Sequence, residues 1–187
     1  MGVLALQGAF ARHQQVIESL GHVTLQVRNP GDLARVDALV VPGGESSTMS
    51  MMLDRSGLCD PLRERLAAGM PTFGTCAGAI LLGVEILDGR TDQVPLGAID
   101  VSVRRNGYGR QVDSFEETLD VIGLDEPIVG VFIRAPIIER VGDGVEILAS
   151  DSSAVPVLCR QRTITVSTFH PELTGDARLH ELFLESI

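Results

Sequence analysis

Thr72-Phe73-Gly74-Thr75-Cys76-Ala77-Gly78-Ala79-Ile80-Leu81-Leu82 changes character at a single residue. Thr72–Gly74 reads as a short strand and Ala77–Leu82 as a helix, so Gly74-Thr75-Cys76-Ala77-Gly78 occupies the handover between them. A nucleophile on so sharp a turn projects above the carboxyl edge of a sheet, and a Cβ at either flanking glycine would crowd the turn. The helix that follows points its N-terminus at the sulfur, and its partial positive charge favours the thiolate. The glycine-flanked string by itself leaves a second reading of Cys76 open, that of a small buried hydrophobe like most free cysteines.

Working outward, short β-branched runs alternate with helical stretches. Val3–Leu6 reads as a strand, and a helix around Arg12–Leu20 stops at Gly21. His22–Val27 and Ala38–Val41 read as further strands. Leu58, Leu62 and Leu66 recur at helical spacing within Leu58–Ala68, which ends at Gly69. The second half is richer in strands, at Leu96–Val103, Gly130–Ile133, Val145–Ala149, Val155–Cys159 and Thr163–Phe169, and a helix over Ala177–Ile187 follows. Strands with little polar alternation, separated by helices, imply a sheet covered on both faces. The expected fold is therefore α/β: a three-layer, flavodoxin-like, mostly parallel sheet with helices on both faces and some antiparallel strands in the second half. Residues 1–187 are expected to form one domain.

Composition agrees with that size of domain. A chain of 187 residues can bury roughly 70% of the surface its unfolded form exposes, without disulfides or a structural metal. Hydrophobic residues make up 44% and charged residues 21%, which argues against disorder. Lys plus Arg total 15 against 25 for Asp plus Glu, so the net charge is 15 − 25 = −10. Such a field repels phosphate backbones and anionic headgroups, so neither nucleic acid nor a membrane surface is an expected partner. Met1–Leu6 lacks a basic leader and reads as a strand, and no apolar run approaches the ~20 residues a membrane span requires. Cys59, Cys76 and Cys159 are odd in number and form no CxxC pair. A disulfide framework or a zinc site is not expected, and a reduced, cytoplasmic setting is.

A cysteine nucleophile needs a base, and the base needs an orienting partner. His13 in a polar helical stretch, His22 at the start of an early strand and His180 on the final helix read as solvated surface residues. His170 differs, because it ends the run Thr163–Phe169 and opens His170-Pro171-Glu172. In a doubly wound sheet the carboxyl ends of parallel strands meet at one crevice, which brings His170 to Cys76 across 170 − 76 = 94 positions. Pro171 stiffens the backbone, and the Glu172 carboxylate is placed to accept the imidazole N–H. Asp37–Ser47 is a strand followed by the pair Gly43-Gly44, whose backbone N–H groups can face a developing oxyanion. A plain turn is the alternative, while a Walker phosphate loop would need a Gly-Lys-Ser/Thr ending that is missing here. Gln7-Gly8, after the first strand, is expected beside the same crevice.

These three motifs together resemble the class I (triad) glutamine amidotransferases. More narrowly, the chain resembles the glutaminase subunits of pyridoxal 5′-phosphate synthases. The narrower resemblance rests on Leu4-Ala5-Leu6-Gln7-Gly8-Ala9, Gly43-Gly44-Glu45-Ser46-Ser47-Thr48, Arg105-Asn106-Gly107-Tyr108-Gly109-Arg110-Gln111 and Phe132-Ile133-Arg134-Ala135-Pro136. It implies Cys76 as nucleophile, His170 as base and Glu172 as its orienter. It implies glutamine binding by Gly44, Glu45, Ser46, Arg105, Ile133 and Arg134, and an oxyanion hole from Gly44 and Ala77. An arginine suits a substrate carboxylate through its fork of donors, but residue chemistry alone does not choose among Arg104, Arg105, Arg110 and Arg134. The activity implied is hydrolysis of L-glutamine with no metal or organic cofactor, the ammonia passing to a synthase subunit that assembles pyridoxal 5′-phosphate. Service to another ammonia-using synthase, action on a different electrophile, and a non-catalytic interaction domain are the alternatives. The intact Cys76, His170 and Glu172 weigh against the last.

Overall fold

The computed structural model describes residues 1–105, 107 and 114–187. The chain begins β1 (Gly2–Leu4), α1 (Phe10–Ser19), β2 (Leu25–Val27), α2 (Pro30–Leu33), β3 (Leu39–Val41), α3 (Ser46–Arg55) and α4 (Cys59–Ala67). It continues β4 (Thr72–Thr75), α5 (Ala77–Leu82), β5 (Gly83–Leu87), β6 (Ile99–Arg104), β7 (Phe115–Leu119), β8 (Ile128–Phe132) and β9 (Ile137–Val141). Then come β10 (Glu146–Ser150), β11 (Pro156–Gln161), β12 (Ile164–Ser167), a 3₁₀ turn (Pro171–Leu173) and α6 (Arg178–Leu184).

Among the described residues seven strands join one sheet in the order β10-β11-β12-β4-β3-β1-β2. Pairing is parallel from β2 to β12, and the order β2-β1-β3-β4-β12 is the doubly wound arrangement. β11 and β10 extend that edge antiparallel. β5, β6 and β9 form a smaller sheet, and β7 pairs with β8 as a hairpin. This is the α/β fold the residue pattern implied, including the antiparallel strands late in the chain.

The absence of polar alternation in the central strands has a direct cause: both faces of the sheet are buried. On β3, Leu39 and Val41 pack with Met49 and Leu53 of α3, Leu62 of α4 and Leu81 of α5. Val40, between them, enters the opposite cluster with Ile17 of α1, Phe73, Phe132, Phe169 and Phe183 of α6. Each side chain of the strand is lost from water, so no position favours a polar residue.

Several elements lie outside the sequence periodicities. Helix α3 carries no run of apolar residues at helical spacing strong enough to mark it, and its start is set by the side chain of Glu45. That carboxylate accepts from Ser47 N at 3.2 Å and from Thr48 N at 2.7 Å, the N-cap contacts of α3. β7 contains Glu116 and Glu117 and acquires its strand form from pairing with β8. β5 follows α5 directly, beginning at Gly83. The expected segment 105–111 is described only at Arg105 and Gly107; Asn106, Tyr108, Gly109, Arg110 and Gln111 lie outside the described residues.

Candidate active site

Cys76 sits between β4 and α5 with φ +49° and ψ −103°. A non-glycine residue there costs on the order of 1–3 kcal/mol, so the surroundings must hold it. They do so from both sides: Cys76 N donates to Ser167 O of β12 at 2.8 Å, and Ile80 N donates to Cys76 O at 3.2 Å. The flanking glycines are required by close packing. A Cβ at Gly78 would stand 2.1 Å from the carbonyl oxygen of Val41, and one at Gly74 would stand 2.9 Å from the Gly78 backbone.

His170 follows β12, as expected, and its N–H donates to Val131 O at 2.8 Å, tying it to β8. The 3₁₀ turn begun by Pro171 swings Glu172 back under the imidazole, where Oε1 accepts from Nδ1 at 2.7 Å. His170 is 8% exposed and the Glu172 side chain has no exposure, so the pair is largely shielded from water. Burial works against the imidazolium, but hydrogen bonds with Cys76 and Glu172 outweigh it and raise the pKa of His170 to about 10. Burial likewise works against the Glu172 carboxylate, and its contacts with His170 and His13 overcome that and keep it ionised, below the usual range.

These side chains open onto a cavity of about 430 Å³. Its lining includes all of the expected glutamine-binding positions: Gly44, Glu45, Ser46, Arg105, Ile133 and Arg134. It also includes Gln7 and Gly8, from the loop after β1, which lies at the point where strand order reverses. Gln7 reaches across to accept from Glu45 N at 2.8 Å, and Ala9 N donates to Gly43 O at 3.0 Å. Ala77 is the first residue of α5, so its N–H has no carbonyl four residues back within the helix.

The arginines are now distinguishable. Arg104 turns to Glu139 on β9, Arg105 pairs with Glu45 at 2.9 Å beside the cavity, and Arg134 borders the cavity with φ +44°. Arg110 lies outside the described residues. Glu45 is fully occupied: besides Arg105 it accepts from Ser47, from Thr48 N and from Thr48 Oγ1. Slight burial opposes its charge, but those donors lower its pKa to about 2.

Two of the histidines assigned to the surface are not there. His13 has 0% exposure and His180 1%. His13 shares the inward face of α1 with Ile17, and His180 lies among Leu179, Phe183 and Leu184 on α6. The spacing to those apolar residues is the signal that could have found them; their polarity concealed it. His13 Nδ1 is 2.9 Å from His180 Nε2, and His13 Nε2 is 3.4 Å from Glu172 Oε2.

A cysteine on a strained elbow, lining one cavity with an imidazole that a buried carboxylate orients, is equipped for acyl transfer. Comparison with known proteins agrees. Residues 3–187 match the SNO glutamine amidotransferase family. The pyridoxal 5′-phosphate synthase subunit PdxT of Mycobacteroides abscessus is 55% identical over 100% of this chain and 96% of its own length. The PdxT subunit of Herpetosiphon aurantiacus is 54% identical over 98% of each chain. A crystal structure described as a glutamine amidotransferase superposes with a TM-score of 0.92 at 49% identity, covering 99% of this chain and 97% of the other. With its elbow, glycine-pair loop and doubly wound sheet, the chain belongs to the SNO glutamine amidotransferase family.

Proposed function

We propose that the chain hydrolyses L-glutamine to L-glutamate and ammonia and serves as the glutaminase subunit of a pyridoxal 5′-phosphate synthase. The observation that carries this reading is the series Cys76–His170–Glu172 at the mouth of a cavity lined by the Gly43-Gly44 loop. Cys76 Sγ, as thiolate, attacks the side-chain amide carbon. The N–H groups of Gly44 and Ala77 receive the charge that develops on the amide oxygen, where each such donor is worth on the order of 3 kcal/mol. His170 gives its proton to the nitrogen as the C–N bond breaks, and ammonia leaves a thioester on Cys76. Water, losing a proton to His170, then cleaves the thioester and releases glutamate. Glu172 holds the ring and stabilises its cationic form. Arg105 and Arg134 are the cavity's candidates for the substrate α-carboxylate, and Ser46 and Ile133 complete the binding wall; Glu45 acts by holding Arg105 and capping α3.

The full-length likeness to PdxT subunits supports a synthase subunit as the ammonia acceptor. A working thiolate suits the reducing cytoplasm. Gly43 and Gly44 allow their peptide to turn at small steric cost, and Gln7 and Ala9 already hold the loop from the neighbouring strand end. A docked synthase can therefore act on the oxyanion donors through that loop. The test is glutamate release by the purified chain, before and after titration with a pyridoxal 5′-phosphate synthase subunit. Release that rises with the partner and is absent in Cys76→Ala supports the reading. No release in either condition refutes it.

A further inference from the structure

Glu172 has two oxygens, and the triad uses one. Oε1 is taken by His170. Oε2 is buried without a conventional hydrogen bond, a costly state for a carboxylate. Facing it at 3.4 Å is His13 Nε2, which also lies 3.2 Å from Thr75 Oγ1, on the residue that precedes the nucleophile. His13 therefore touches both ends of the catalytic series, the carboxylate and the elbow strand. On its far side Nδ1 meets His180 Nε2 at 2.9 Å, and His180 Nδ1 is buried with no partner.

Donors and acceptors follow from this chain of contacts. An ionised carboxylate only accepts, and the Thr75 hydroxyl can accept as well, so a proton on His13 Nε2 suits both of its neighbours. A neutral ring then leaves Nδ1 as acceptor, and His180 must donate to it from Nε2. That assignment leaves a bare lone pair at His180 Nδ1 in place of a buried unmatched N–H. Burial keeps both rings neutral, with pKa values of about 4 for His13 and about 3 for His180. The titratable groups facing Glu172 are His170 on its own turn and His13 from α1. Those facing His13 are Glu172, His180 from α6 and, at longer range, His170.

We propose that His13 is a positioning residue of this active site: its Nε2–H holds the second oxygen of Glu172, and His180 fixes the tautomer that makes this possible. The proposal rests on the glutaminase reading of Cys76, His170 and Glu172. His13 lies behind the cavity wall, so its effect reaches glutamine through Glu172 and His170.

Two measurements test it. Nitrogen-15 shifts of the histidine rings in the chain bound to its synthase subunit report tautomers without reference to the reaction. His13 and His180 should both be neutral Nε2–H forms at neutral pH; an Nδ1–H or cationic His13 overturns the assignment. The second measurement compares His13→Leu with His13→Gln in the same complex. Leu removes the donor, whereas the Gln amide nitrogen can stand where Nε2 stood. Loss of orientation should lower kcat of the Leu variant roughly tenfold to a hundredfold, since small misplacements cost that much. KM for glutamine should hold, and the acid limb of kcat/KM should move to higher pH because Glu172 protonates more readily. The Gln variant should recover most of the rate. A Leu variant within about twofold of wild type with its acid limb unmoved, a Gln variant that falls as far, or a loss confined to KM overturns the proposal. Correct tautomers in a wild-type complex that releases no glutamate would instead refute the glutaminase reading, leaving the hydrogen bonds as purely structural.

Discussion

Gly43 lies against His170 so closely that a Cβ built on it would stand 2.4 Å from the imidazole Cε1 and 3.0 Å from Nδ1. The same atom would be 3.3 Å from Cys76 Cβ. The glycine is thus the spacer between Cys76 and His170. Its backbone cannot retreat easily, because Gly43 O accepts from Ala9 N at 3.0 Å. Gly43→Ala must therefore displace the imidazole and strain its bond to Glu172. The expected outcome is a kcat lowered by about a hundredfold, with a stability loss of about 1–3 kcal/mol typical of overpacking. Glutamate release and thermal denaturation, measured on the same preparation, check both halves. Activity near wild type would mean that the loop yields and the contact is unimportant.

The three cysteines should behave differently toward a glutamine-like chloroketone. Cys76 is expected to be alkylated alone, and Cys76→Ala to lose glutamine hydrolysis. Cys159 lies in the core of β11, where burial pushes its thiol up to about 12, so it presents no thiolate. Cys59 is half-buried at the start of α4 and does not line the cavity of Cys76 and His170. Cys59→Ala and Cys159→Ala should keep activity within about twofold, as changes remote from the reacting atoms do. Mass spectrometry locating the label on Cys59 or Cys159 would contradict the assignment.

The elevated pKa of His170 has a kinetic consequence. Its folded value of about 10 exceeds the ordinary 6.5. Its contribution to stability is therefore complete below pH 6.5 and is lost as pH rises toward 10. kcat/KM should show no inflection at the ordinary imidazole value and should decline on the alkaline side near 10. In Glu172→Gln the amide still orients the ring but no longer stabilises its charge, so the alkaline limb should move to lower pH. Turnover should fall less than in His170→Ala. A pH–rate profile for each protein decides the matter; an unmoved limb would show that Glu172 only orients.

His13 and His180 should contribute to the acid side of stability. Their folded pKa values, about 4 and about 3, lie below the ordinary 6.5, chiefly because burial disfavours the charged ring. Between pH 6.5 and those values the unfolded chain binds more protons, so stability present above pH 6.5 declines as pH falls. The slope is up to about 1.4 kcal/mol per pH unit for each ring. Denaturant titrations between pH 7 and pH 4 should show it, and His180→Gln should flatten it. An equal slope in the variant would assign the acid sensitivity to other groups.

Much of the site was legible in residue chemistry. The elbow glycines, the glycine pair after β3 and His170-Pro171-Glu172 each announce a local backbone requirement, and each stands where that requirement placed it. Which arginine serves the cavity was not legible, because Arg104 and Arg105 are chain neighbours that diverge only through their partners Glu139 and Glu45. Helix α3 was hidden for a related reason: its start is set by a cap and its inward face by tertiary packing, more than by apolar spacing.

By itself the sequence determined the layering of the fold, since strands buried on both faces leave no polar alternation and glycines mark where backbones must touch. It also marked Cys76, His170 and Glu172 as the candidate nucleophile, base and orienting carboxylate, because their spacing to strand ends is a local matter. Only the tertiary structure decided the fate of His13 and His180. Their positions are 167 residues apart, and they meet at 2.9 Å only once α1 and α6 pack on the same face of the sheet. A histidine among polar neighbours reads as solvated until such packing removes its water, and the contacts that then keep it neutral come entirely from other elements.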